Sequence, residues 1–149
     1  MRSGLGLLTA LAFFGIVPAQ EPTPDDAAKK ALEALQGTWE VEQVELAGKK
    51  ATDDVKKVAA TVVIDGATIA FRSSGTKEVR KGTLTIDPAK TPPWVDITDE
   101  NKKNEPGIYE VKDDTFKLCV GRIGGDRPKE FASKAMPESH LFTFKRAKK

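Results

Sequence analysis

The chain holds one cysteine, Cys119, and one histidine, His140, among its 149 residues. No internal disulfide can form, so stability must come from burying apolar surface. A zinc-binding pattern is equally out of reach, and a histidine-assisted nucleophile would have to be built around His140 alone. Glu138 and Ser139 are its immediate neighbours and too close in sequence to make a catalytic constellation, so His140 reads as a turn residue before the last strand. No metal and no cofactor is expected.

Charge of one sign is also missing. The 24 lysines and arginines face 22 aspartates and glutamates, and the basic residues are scattered apart from a solvated tail of Lys145, Arg146, Lys148 and Lys149. Neither nucleic acid nor an acidic membrane is implied as a partner. Long hydrophobic runs are absent too: the longest, Leu5 to Val17, is about 13 residues, well short of the ~20 that span a bilayer as a helix. Arg2 precedes that run and Val17-Pro18-Ala19 resembles a small-residue cleavage site. Residues 1–19 therefore read as a secretory signal, and the expected location is secreted or periplasmic with no integral membrane segment after cleavage; retention as an anchor is the alternative. The rest is enough for one domain, expected as a monomer.

What is present is short runs of β-branched and aromatic residues separated by turn chemistry. Residues 20–36 make a polar leader and a short helix, capped by Asp25 or Asp26 and ended by Gly37 in a left-handed turn. Its apolar face of Ala28, Ala31, Leu32 and Leu35 is narrow, which suits a helix lying across a surface or plugging an opening. Trp39 to Leu46 is a strand whose parity shifts between Trp39/Val41 and Val44/Leu46, a bulge signal. Asp53 to Ala59 has the makings of one or two helical turns. Asp65-Gly66 between Thr61–Ile64 and Thr68–Arg72 is the strongest hairpin signal in the chain.

Further strands are expected at Val79–Ile86, Trp94–Thr98, Ile108–Val111, Phe116–Val120 and Leu141–Lys145, the pair around Asp113-Asp114 forming a second hairpin. Asp99 to Pro106 reads as an exposed loop, and Gly121 to Ser139 as a long loop with a short strand near Lys129 to Ala132. About eight strands at this spacing argue for an antiparallel meander. Open edges invite association, so the expected fold is an all-β, up-and-down barrel over residues 37–149, with a sandwich as the alternative.

Gly37-Thr38-Trp39 at the first strand looks like the Gly-x-Trp entrance of lipocalins, and this likeness implies barrel closure by Trp39 under a basic residue of the last strand. Phe142, Phe144 and Arg146 share one parity, which makes Arg146 that residue, held over Trp39 by a cation–π contact. The wider set is Leu35-Gln36-Gly37-Thr38-Trp39, Gly107-Ile108-Tyr109, Leu118-Cys119, Arg127-Pro128 with Glu130-Phe131, and a Phe-Lys-Arg ending. Together these residues resemble an uncharacterised exported domain family associated with Planctomycetes and regarded as lipocalin-like. The likeness implies fold and export and carries no activity or ligand. Gly121-Arg122-Ile123-Gly124-Gly125-Asp126 departs from the more proline-bearing loop of that pattern.

Several residues are candidates for chemistry. Cys119 has the parity of Lys117, opposite Phe116, Leu118 and Val120, and reads as a small side chain beneath the helix or a loop, with no activating base beside it. Gly124-Gly125-Asp126-Arg127 offers an oxyanion cradle, or else Arg127 pairs with Asp96, Asp99 or Glu130 and pins the long loop. Asp96, Asp99 and Glu100 form no recognisable acid/base pair. A ligand pocket would draw on Phe71, Tyr109, Phe116, Phe142 and Arg127, with Tyr109 supplying a polar tip. The resulting expectation is a non-catalytic exported module holding a small apolar ligand, or else an envelope interaction domain with a filled barrel. A carrier would show a cavity of at least ~300 Å³ opening near Arg127 and Tyr109.

Overall fold

Side-chain alternation, with one face of each strand apolar and the other polar, is satisfied by curling a single sheet until its last strand meets its first. The computed structural model describes residues 23–74, 77–134 and 139–148. The expected signal at residues 1–19 lies outside these. A helix α1 (Pro24–Leu35) leads into strand β1 (Gly37–Leu46), a two-residue strand β2 (Lys49–Lys50) and a short helix α2 (Thr52–Val58). Seven strands follow: β3 (Thr61–Asp65), β4 (Thr68–Arg72), β5 (Glu78–Asp87), β6 (Trp94–Asp99), β7 (Asn104–Lys112), β8 (Thr115–Val120) and β9 (His140–Arg146).

Every pairing is antiparallel, and neighbours in sequence are neighbours in the sheet from β3 to β9. β1 pairs with β3 on one side and β9 on the other, which closes the cylinder and leaves β2 as a small flap on the end of β1. The expected barrel is therefore present. The β1–β9 register shifts between Val41 and Gln43. That bulge keeps Trp39 and Val41 inward before it and Val44 inward after it, all three buried.

The helix starts differently from the expectation. Its cap is Thr23, whose hydroxyl accepts from the Asp26 backbone while Asp26 reaches back to Thr23, and Pro24 occupies the first turn, where its missing N–H costs nothing. Asp25 and Asp26 fall in the first turn and complement the helix dipole. Gly37 has a φ of 115°, a backbone shape that side-chain-bearing residues rarely adopt, and it turns the chain from helix into β1. Leu35 is buried in the core and Leu32 packs against it. The side chain of Gln36 bonds both ways to Gly66 in the β3–β4 turn, so α1 plugs the end of the barrel where β1 begins.

Two further expectations are corrected. Asn104-Glu105-Pro106 belongs to β7 and not to a loop, pairing with Thr98, Ile97 and Asp96; the turn before it is short because the Asp99 carboxylate accepts from the Asn101 and Lys103 backbones. Residues Lys129–Ala132 form bends instead of a strand. Ala132 lies against Cys119 of β8, and the next residue, Ser133, accepts from the Gly48 backbone N–H with its hydroxyl.

Candidate functional site

The interior divides into two halves with different packing. At the end where β1 starts, Trp39, Phe116 and Phe144 are essentially inaccessible to solvent, with the Phe116 ring 5.4 Å from Trp39 and 5.2 Å from Phe144. These rings fill the narrow cross-section. The Arg146 guanidinium lies 4.2 Å from the Trp39 ring and donates to the carbonyls of Gln36 and Ala34. Trp39 in turn donates from Nε1 to the Leu35 carbonyl at 2.8 Å.

The opposite half is not filled. A cavity of about 260 Å³ is lined by Phe71, Ile97, Leu118, Val120 and Phe142 of the wall, by Leu46 at the end of β1, and by Val55 and Ala59 of the α2 segment. Val79, Arg80, Glu105 and His140 form its rim, and Val79 is 49% exposed, so the space communicates with solvent. α2 covers part of the opening. It is held there by Thr52, whose hydroxyl accepts from the Val44 backbone N–H in β1.

Arg80 and Glu105 are the polar feature of this mouth. Arg80 shares the inward parity of Leu84 on β5, and Glu105 that of Tyr109 on β7. Arg80 Nη2 donates to Glu105 Oε1 at 2.7 Å, and its guanidinium carbon stands 5.8 Å from the centre of Phe71. The Glu105 side chain is only 11% exposed against 39% for Arg80. A second groove of about 530 Å³, lined by Leu46, Ala47, Glu105, Gly121, Arg122, Ile123 and His140, adjoins the first. Val79 and Ile123 are large exposed hydrophobics on these two spaces, and Val58 is a third on the same helix as Val55.

The residues expected to form a pocket are thus divided by the structure. Phe71 and Phe142 line the mouth cavity, whereas Phe116 belongs to the packed half. Tyr109 is buried in the core away from the mouth lining, and its phenol is pushed above its ordinary range, first by burial and then by the Asp87 carboxylate. Arg127 is outside the barrel altogether. It makes two bonds to Asp96, at 2.9 and 3.0 Å, donates to the carbonyls of Val95 and Gly107, and stacks 4.4 Å from Trp94. Of the two roles open to Arg127, the geometry gives it the loop-pinning one.

Cys119 is fully buried on the outer face, beside Ile108 on β7 and Leu141 on β9, beneath the same loop. Burial pushes its thiol up to about 11, against a smaller opposing effect of a hydrogen bond with the Ala132 backbone. A thiol held protonated in this way is a poor nucleophile. Asp99 is used by its own turn and Asp96 by Arg127 and Asn104, so the barrel wall separates Asp96 and Arg127 from Tyr109. Among the described residues no group of three or more His, Cys, Asp or Glu side chains is placed to hold a metal ion, and no helix is long and apolar enough to cross a membrane.

Sequence reasoning missed Arg80 and Glu105. The signal for Arg80 was its parity with Leu84 and Ile86; Glu105 was hidden by assigning Asp99–Pro106 to a loop. The cavity also differs from the carrier expectation. It is somewhat smaller than ~300 Å³ and opens by Arg80 and His140 instead of by Arg127 and Tyr109.

Comparison of the chain with known proteins gives no matching family model, no matching curated protein and no matching solved structure.

Proposed function

We propose that the protein is an exported, non-catalytic binding module that takes one small apolar group into the open half of its barrel. The observation that carries this reading is the unequal filling of one cylinder: three rings in mutual contact close one half, while about 260 Å³ of apolar-lined space remains in the other. A space of that size lies between the ~150 Å³ that accommodates benzene and the ~300 Å³ lower bound of drug-sized pockets. A short alkyl chain or a single ring system fits it. Export through residues 1–19, action as a monomer in a secreted or periplasmic location, and kinship with the Planctomycetes-associated lipocalin-like domains belong to the same proposal.

A second reading, an interaction domain of the cell envelope, is favoured by Val58, Val79 and Ile123, which stay exposed about the mouth. In that reading the mouth receives an apolar side chain of another exported protein. Native mass spectrometry of protein purified from its own host separates the two. A retained small mass supports the carrier; a bare chain, or one associated only with a second polypeptide, contradicts it.

A further inference from the structure

An ion pair turned inward beside an apolar cavity is a poor device for stability, because apolar residues of similar volume would pack that end at no desolvation cost. Arg80 and Glu105 nonetheless both face the mouth cavity, and Glu105 also borders the adjoining groove. They share a single hydrogen bond, Nη2 to Oε1. The remaining donors of the guanidinium fork, and Oε2 of Glu105, have no hydrogen-bond partner among the described residues.

A ligand tail lying among Phe71, Ile97, Leu118 and Val120 leaves by way of this pair, so its head group meets an acceptor and a set of donors side by side. The pair is neutral as a unit. A carboxylate head gains Arg80 but confronts Glu105, an ammonium head does the reverse, and either is held against a like charge. A carboxamide has neither defect. Its carbonyl accepts from Arg80 while its N–H donates to Glu105 Oε2.

Resting on the reading of the mouth as a ligand site, we infer that the Arg80–Glu105 pair selects an uncharged ligand with a carboxamide-type head on a short apolar chain, over the acid or the amine of equal length. The test is displacement of the neutral dye N-phenyl-1-naphthylamine by octanamide, octanoate and octylamine, on the full chain and on Arg80→Gln and Glu105→Gln. Octanamide is expected to compete about tenfold better than either charged compound on the unmodified protein. Glu105→Gln leaves the arginine uncompensated and moves the preference to octanoate; Arg80→Gln moves it to octylamine.

Equal competition by all three heads on the unmodified protein, with the dye bound, overturns the inference and leaves the carrier reading intact. The same ranking in all three proteins overturns it too. Failure of the unmodified protein to bind dye or any of the three compounds, read by calorimetry, sinks both. Should a variant not fold, the ranking on the unmodified protein still decides, and Arg80→Lys, which keeps the charge, should retain a weaker amide preference.

Discussion

Arg146 covers the Trp39 ring at 4.2 Å and, with the same guanidinium, closes the end of α1 by donating to Gln36 and Ala34 at 2.9 and 3.1 Å. The helix carries no basic residue in its own last turn. The last strand supplies that cation from the other end of the chain, so one side chain ties helix, first strand and last strand together. Arg146→Ala should lower the unfolding free energy by about 2–3 kcal/mol, the combined scale of a cation–π contact and charge-assisted hydrogen bonds. Urea denaturation followed by tryptophan fluorescence measures this. Arg146→Lys should recover less than half, because an ammonium cannot cover a ring and reach two carbonyls at once; a loss below about 0.5 kcal/mol for Arg146→Ala would remove the residue from the closure.

Arg127 holds the loop after β8 against the outer wall through Asp96, Trp94 and two backbone carbonyls. Arg127→Ala should loosen that loop and expose Cys119, raising the rate of thiol labelling by at least about tenfold while the global denaturation midpoint falls only modestly. Ligand binding at the mouth should not change. Loss of binding with slow labelling would return Arg127 to the ligand site.

The buried Cys119 thiol gives a pH dependence of known sign. Its folded-state pKa of about 11 exceeds the unfolded value of 9.0, so its contribution is complete below pH 9 and is lost as pH rises through about 11. The raised Tyr109 phenol acts in the same direction. Stability should therefore fall across that alkaline window, and Cys119→Ala should flatten the fall by an amount on the order of 2 kcal/mol. Denaturation midpoints of the two proteins from pH 8 to pH 11 check it, with parallel curves as the contrary outcome.

The two halves of the interior should respond differently to truncation. Phe116→Ala empties a site packed between two rings and should cost about 3–5 kcal/mol. Phe71 lines a space already open to water, so Phe71→Ala should cost no more than about half as much and should enlarge the mouth. Thermal or urea denaturation of both variants decides. Equal costs would mean that the mouth is as tightly packed as the closed end.

Strand positions were legible because parity, the Asp65-Gly66 and Asp113-Asp114 turns and the shift within Trp39–Leu46 are local signals. Barrel closure followed from the open edges a meander would otherwise leave, and the cover over Trp39 was implied by the likeness to lipocalins, with the shared parity of Phe142, Phe144 and Arg146 singling out Arg146 on the last strand. The Arg127–Asp96 pairing stood among named alternatives for the same kind of reason, a fork with carboxylates in reach. What was not legible depends on the third dimension. The polar, lysine-rich character of Asp99–Pro106 argued for a loop, yet Asn104, Glu105 and Pro106 sit in β7 opposite Thr98, Ile97 and Asp96, and this hid the inward face of Glu105. Nothing local shows that Phe116 lands among rings while Phe71, of the same inward parity, lands beside empty space; that difference comes from α1 plugging one end and the shorter α2 only partly covering the other.

The central claim, an apolar site in the open half of the barrel, is tested most directly by titrating N-phenyl-1-naphthylamine into the unmodified protein and into Val120→Phe. Val120 is buried in the cavity wall, and the larger ring would occupy the space a ligand needs. The expected result is saturable fluorescence enhancement at one site in the unmodified protein and its loss in a variant that remains folded. Undiminished binding by Val120→Phe, or none by either protein, would contradict the account.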